Sequence, residues 1–304
     1  MPTAIRFSAY GDPEVLEVAE VDAPVPGPGQ VLVRVRAAGV NPGDWKQRRG
    51  LWSGGEPLAE PRGVGHDLAG VVEAVGAGVV APAVGDEVFG TGDDTYAELA
   101  LSTPAALAAR PIEVPWETAG GVGVAGRTAY RVLRQLEVGP GDTLLIHAAA
   151  GGVGIVATQL ALAWGATVVG TAGPDNQAFV RELGAVPVEY GDGWEDRVRA
   201  VAPEGVDAVL DGSGRGELAG SVRLAGGPGR VLTITASDAA EHGVRFSGGD
   251  DGVDVSEAFP ELGRLLASGD LVLPVWRTFP LAEAAAAHRA SEHGHLRGKI
   301  VLRP

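Results

Sequence analysis

The chain has no cysteine, and lysine stands only at positions 46 and 299 among its 24 basic residues. Without a thiol there is no disulfide, no thiolate nucleophile and no cysteine-ligated zinc, and the redox compartment is left open. Long apolar runs are also missing. The longest, "IVATQLALAWGATVVGTA", is interrupted by glycine and suits a helix followed by a strand, not a membrane span. The opening "MPTAIRFSAYGDPEVLEV" lacks the basic and then apolar regions of a secretory signal. Positive charge is short as well: a net charge of −15 argues against nucleic acid or an anionic membrane as partner, and a cytoplasmic protein is expected. No G-x-S-x-G is present, so nucleophilic hydrolysis has no support.

What is present fits a globular chain. Its 304 residues are enough for two domains, with 45% hydrophobic and 21% charged residues. The first third consists of short alternating segments such as "QVLVRVRAAGV" between Pro-Gly and Gly-Asp turns, and is expected to be β-rich. Near Trp116 the texture changes. From Asp142 apolar strands ("TLLIHAA", "TVVGTA", "VPVEY", "VDAVLDG", "RVLTITA") alternate with helical stretches, the pattern of a doubly wound parallel sheet covered on both faces. Beyond Val255 two more helices enclose "LVLPVWRTFP", and the chain closes on the strand "KIVLRP".

The strand "LLIHAA" runs into "AGGVG" and then a helix. The fingerprint is A-x-G-x-x-G, at Ala149, Gly151 and Gly154, and it opens a βαβ series. Gly151 is expected to allow a tight turn and Gly154 close helix-to-strand packing. The N–H groups of Ala150, Gly151, Gly152, Val153 and Gly154 then face a pyrophosphate. The alternative is a packing turn without a ligand. No acid ends the second strand, where an NAD site usually carries one. Gly170 and Thr171 leave room for a 2′-phosphate, Asp175 in the following loop opposes one, and Tyr190 can donate to either cofactor. NADPH is the expected cofactor, with NADH open.

"NPGDWKQRRG" holds the first of the two lysines. Asn41 either orients substrate or nicotinamide ribose, or only shapes an Asn-Pro turn. Asp44 either holds Lys46 or the ribose, or caps the next turn. Lys46 either stabilises a developing enolate or ribose, or is a solvated charge on a loop. Trp45, Leu51 and Trp52 either wall an apolar pocket or pack inside. His66 has no thiolate partner, so a hydrogen-bonded structural role is expected and zinc is not. His288, His293 and His295 follow an exposed-looking helix and offer at most adventitious metal binding.

Taken in order, "PVPGPGQVLVRVRAAGVNPGDWKQRRG", "GHDLAGVVEAVG", "VGDEVFG", "GRTAY", "HAAAGGVG", "ELGA" and "RGKIVL" resemble the zinc-independent medium-chain dehydrogenase/reductases of the quinone oxidoreductase group, over nearly the whole chain. The Asn-Pro-x-Asp-x-Lys element looks like the branch that reduces enones and alkenals. The resemblance implies a GroES-like β-rich catalytic domain (residues 1–121 and 256–304) with a Rossmann domain (122–255) inserted, the cofactor and substrate meeting in the cleft, and a homodimer. It also places Thr128 at the nicotinamide and makes Asn41, Asp44 and Lys46 the catalytic set. The expected cofactor-binding set is completed by Gly173, Asn176, Thr233, Ile234, Phe246 and Lys299. The implied reaction is transfer of hydride from NADPH to the β-carbon of an α,β-unsaturated carbonyl, or to a quinone. Two other functions fit the same features: a dinucleotide-binding sensor or structural protein without catalysis, and a tailoring enoyl reductase acting on a polyketide-like substrate.

Overall fold

The structure, a computed structural model, describes residues 1–249, 252–294 and 296–304. The chain divides into two compact units: Met1–Ala125 with Phe259–Gly269 and Leu273–Pro304, and Gly126–Ala258 with Asp270–Val272.

The first segment carries β1 (Thr3–Phe7), β2 (Glu17–Glu20), β3 (Val31–Val40), α1 (Pro42–Arg48), β4 (Arg62–Gly63), β5 (Asp67–Val75), β6 (Glu87–Thr91), β7 (Leu99–Ser102) and β8 (Leu107–Ala109). α1 occupies the stretch expected to be a loop. Pro42 in its first turn brings a preset backbone angle, Asn41 precedes it in an extended conformation, and the Asp44 side chain accepts from the Asn41 N–H at 2.8 Å. That pattern starts a helix even in a stretch of seven residues.

α2 (Trp116–Gln135) leads into the second unit, which alternates β9 (Thr143–His147), α3 (Gly152–Ala163), β10 (Thr167–Ala172), α4 (Gln177–Glu182), β11 (Val186–Glu189), α5 (Trp194–Val201), β12 (Ala208–Asp211), α6 (Leu218–Leu224), β13 (Val231–Thr233) and the short β14 (Arg245–Phe246). The six strands are parallel, in the order β11-β10-β9-β12-β13-β14. Leu145, Val169, Val209 and Val231 lie in the core on these strands, because a sheet covered on both faces needs apolar residues at consecutive positions.

α7 (Ala258–Ser268), β15 (Val275–Pro280), α8 (Ala284–His293) and β16 (Lys299–Arg303) follow. Most of this last stretch rejoins the first unit, while Asp270–Val272 stays with the second. Gln159 explains the exception: its amide accepts from the Val272 N–H at 2.8 Å and donates to the Val272 carbonyl at 2.9 Å, as a strand neighbour would. In the first unit β16 lies antiparallel to the C-terminal half of β3, within the sheet β15-β16-β3-β5-β6-β8. β7 pairs with the N-terminal half of the same strand, and β2-β1-β4 form a separate sheet. Ile5, Phe7, Val33, Val35, Leu68, Tyr96, Phe279 and Ile300 form one core between these sheets and α8. α8 is not an exposed helix, since it buries Ala284, Ala287 and His288. Among the described residues no helix is long and apolar enough to cross a membrane.

Candidate functional site

The first unit buries a chain of polar side chains centred on Asp44. One carboxylate oxygen accepts from the Asn41 N–H and from the Tyr96 hydroxyl, each at 2.8 Å, and the other lies 3.2 Å from His66 Nδ1. His288 Nε2 stands 3.4 Å from the same Tyr96 hydroxyl. Burial works against charge on Asp44, yet the hydrogen bond and charge of His66 hold its carboxyl below the usual range. The same hydrogen bond raises the His66 imidazole, against partial desolvation. Burial pushes His288 down to about 4, and both burial and Asp44 raise the Tyr96 phenol.

A second buried group lies alongside. Lys299 Nζ donates to Asn41 Oδ1 and to Asp67 Oδ2, the latter at 3.1 Å. Asp67 also accepts from the Val124 N–H of α2. Close approach makes this arrangement possible: a Cβ at Gly39 would run into Asp67 Oδ2, and one at Gly123 would stand 2.9 Å from its other oxygen. Glycine inside a helix costs about 1 kcal/mol against alanine, so its clustering in α2 marks a packing need. Desolvation raises the Asp67 carboxyl, and the Lys299 charge offsets part of that rise.

Asn41 and Asp44 are therefore joined as expected candidates, but Lys46 is not joined to them. Asp44 caps α1 and binds His66 and Tyr96 rather than Lys46. Lys46 is half-buried, with Nζ 5.7 Å from the Trp45 ring centre. Two residues along a helix turn the side chain by roughly 200°, which points it away from Asp44. Leu51 and Trp52 are exposed on the turn after α1, and Trp45 is partly buried. Lys299, expected at the cofactor, is instead enclosed in the first unit because β16 faces the glycine-rich part of α2. His288 is buried in the core, His293 is exposed, and His295 lies outside the described residues. Among the described residues no group of three or more His, Asp or Glu side chains is placed to hold a metal ion.

In the second unit Gly152, Val153 and Gly154 form the first helical turn of α3, behind Gly151. Their N–H groups have no carbonyl four residues back in the helix, so they are the donors an anion needs. A Cβ at Gly154 would run into the Ala148 carbonyl and lie 2.8 Å from Ala149 Cα, so only glycine lets the helix start this close to β9. The cradle fits a dinucleotide pyrophosphate. The tight turn, however, is not at Gly151, whose φ of −81° is ordinary; Ala148 takes the left-handed conformation, at φ 62°. Ala149 and Ala150 are both buried.

Gly170 leaves no room for a phosphate either. A Cβ there would meet Ala149 and Val180 at 2.8 and 2.9 Å, so its space is taken by the packing of α4 against the sheet. Thr171 is buried with its hydroxyl 3.1 Å from His147 Nδ1. The open positions come later: Gly173 and Asn176 are half-buried, Asp175 is exposed, and Tyr190 is 38% exposed with the Arg215 guanidinium 5.8 Å from its ring centre. Thr233 is buried, donating to Asp211 at 2.8 Å and accepting from the N–H groups of residues 235 and 236. It thereby shapes the loop carrying the half-buried Ile234. Phe246 is exposed on β14, and Thr128 is half-buried on α2.

Sequence reading missed several members of these groups. Asp67, Tyr96 and His288 join through contacts across long stretches of chain, and His147 binds Thr171 and Ser221 inside the parallel sheet. "AGGVGVAG" in α2 was the signal for the first group, because clustered glycines in a helix point to something pressed against it.

Residues 27–135 match the family described as alcohol dehydrogenase GroES-like domain, and residues 183–302 that described as zinc-binding dehydrogenase. The quinone oxidoreductase of Pseudomonas aeruginosa is 34% identical over 335 aligned residues, covering 100% of both chains. A mycobacterial protein solved as a complex with NADPH superposes with a TM-score of 0.87 at 30% identity, covering 100% of each chain. The pikromycin polyketide synthase component PikAII of Streptomyces venezuelae is 34% identical over 319 residues, covering 97% of this chain and 8% of that one.

Proposed function

Because the chain belongs to the quinone oxidoreductase group of the zinc-independent medium-chain dehydrogenase/reductases, we propose that it is an NADPH-dependent oxidoreductase reducing α,β-unsaturated carbonyls or quinones. The observation that carries this reading is the start of α3. There an anion cradle that tolerates no Cβ at Gly154 opens on a parallel sheet.

When bound, NADPH supplies a hydride to the electron-poor carbon of the acceptor. Gly152, Val153 and Gly154 hold its pyrophosphate by their N–H groups. Tyr190 and Arg215 flank the ribose 2′ position, where a guanidinium pairs with a phosphate better than with a hydroxyl. Asp175 on the neighbouring turn weakens that preference. In the first unit, α1 and the turn after it present Trp45, Leu51 and Trp52 to an apolar substrate, while Asn41 and Asp44 hold α1 in place.

Purified protein is incubated with NADPH or NADH and a panel of enones, alkenals and quinones, following nicotinamide absorbance. Oxidation of NADPH in the presence of at least one acceptor class is expected. Cofactor-induced thermal stabilisation without turnover across the panel would make the chain a dinucleotide-binding protein instead. The likeness to the PikAII component favours a second reading, a tailoring enoyl reductase. Strong activity on long polyketide-like enones with little on small ones identifies it.

A further inference from the structure

Completing the reduction needs a proton as well as a hydride, and one side chain of the first unit is built to deliver it. Within the hydrogen-bonded run His66–Asp44–Tyr96–His288, the last three are buried, and only His66 reaches solvent, with 47% of its side chain exposed. The Asp44 carboxylate has no hydrogen to give. His66 Nδ1, 3.2 Å away, must therefore donate to it, which leaves Nε2 as the nitrogen that exchanges protons. The main chain on either side of the ring is also held. Gly65 before it has φ 99° against Tyr96, and the His66 carbonyl accepts from the Gly92 N–H at 2.8 Å. Asp44 also accepts from the Asn41 N–H, so the acid behind the imidazole and the start of α1 are one construction.

We propose that His66 is the general acid of the reduction, with Asp44 as its positioning residue. This rests on the reductase reading above. As hydride adds to the β-carbon of an enone, the π electrons move toward the carbonyl and leave an enolate. The His66 imidazolium breaks its Nε2–H bond and gives that proton to the α-carbon, becoming neutral imidazole; water then reprotonates it. With a quinone the proton goes to the oxygen of the hydroquinone anion. Three carboxylates raise the ring, Asp44 on α1 by hydrogen bond and charge, and Asp67 at the start of β5 and Asp93 in the loop after β6 by charge alone, and all favour the charged, donating form.

His66→Gln removes the transferable proton at a half-exposed position and is expected to fold normally. Its kcat should fall about a hundredfold while KM and NADPH affinity hold, and the loss of rate at high pH expected of the parent should vanish. Independently of activity, the His66 imidazole signals of the cofactor-free protein should titrate above the ordinary histidine range by NMR, and shift down in Asp44→Asn. A His66→Gln enzyme with kcat within about twofold of the parent and the same high-pH limb overturns the proposal while leaving the reductase reading intact. A parent protein that oxidises no NADPH with any acceptor of the panel removes both.

Discussion

Lys299 and Asn41 are joined by a hydrogen bond between side chains 258 positions apart, with Asp67 on the same ammonium group. All three are buried. Removing the cation leaves a carboxylate in the core that must ionise unpaired or take up a proton. Lys299→Met should lower stability by about 3–5 kcal/mol in urea denaturation. Adding Asp67→Asn should recover part of the loss, because an amide needs no counter-charge. Strictly additive losses in the double mutant would show that the pair is not coupled.

His288 makes the fold acid-sensitive. Its folded value of about 4 lies below an unfolded value of about 6.5, so the unfolded chain binds more protons between them. Stability from this group is complete above about pH 6.5 and lost as pH falls toward 4, a change of roughly 3 kcal/mol. His288→Gln should flatten the dependence of unfolding free energy on pH across that window. An unchanged slope would place the acid sensitivity elsewhere.

Ala148 carries left-handed strain ahead of the pyrophosphate cradle, at φ 62°. A non-glycine residue there costs roughly 1–2 kcal/mol, partly offset by the freer unfolded chain of a glycine variant. Ala148→Gly should raise the melting temperature by a few degrees with NADPH affinity retained. A fall in melting temperature would mean that the alanine methyl group contributes packing worth more than the strain.

Cofactor choice is expected to follow charge at two exposed positions after β10 and β12. Asp175→Arg should improve NADPH affinity relative to NADH by about tenfold, and Arg215→Gln should shift the ratio the other way. Titration of both cofactors by fluorescence reads the ratio directly. Equal effects on the two cofactors would move the 2′ contact away from these side chains.

Lys46 is expected to be dispensable for the chemistry, since it points away from Asp44 and stacks near Trp45. Lys46→Met should change kcat by less than about threefold. A hundredfold fall would return the lysine to the catalytic set.

The alternation of strands and helices in the parallel sheet was legible because β9, β10, β12 and β13 are apolar at consecutive positions, while the short β14, Arg245–Phe246, carries no such run and was not. The pyrophosphate cradle was legible from Gly151 and Gly154, although the strained residue, Ala148, carried no mark. Composition hid the first unit's polar groups. In a chain with 47 glycines, Gly120, Gly121 and Gly123 looked like background, yet they bring α2 against Ala37, Lys299 and Asp67 in turn. Asp44 was visible as a helix cap, but Tyr96 and His288 were not visible as its neighbours. No local pattern encodes which loop brings a tyrosine to an aspartate 52 positions earlier.

The placement of β16 beside the C-terminal end of β3 bears on how the molecule is made. Nearly all of the second unit is one uninterrupted stretch and can close on itself while the ribosome is still translating. The first unit has to wait: β3 has β5 and β7 early but lacks β16, and Asp67 its ammonium, until Lys299 has emerged. During that interval Asp67 lacks Lys299 and residues 38–40 at the end of β3 lack β16, so the unit synthesised first is the one finished last.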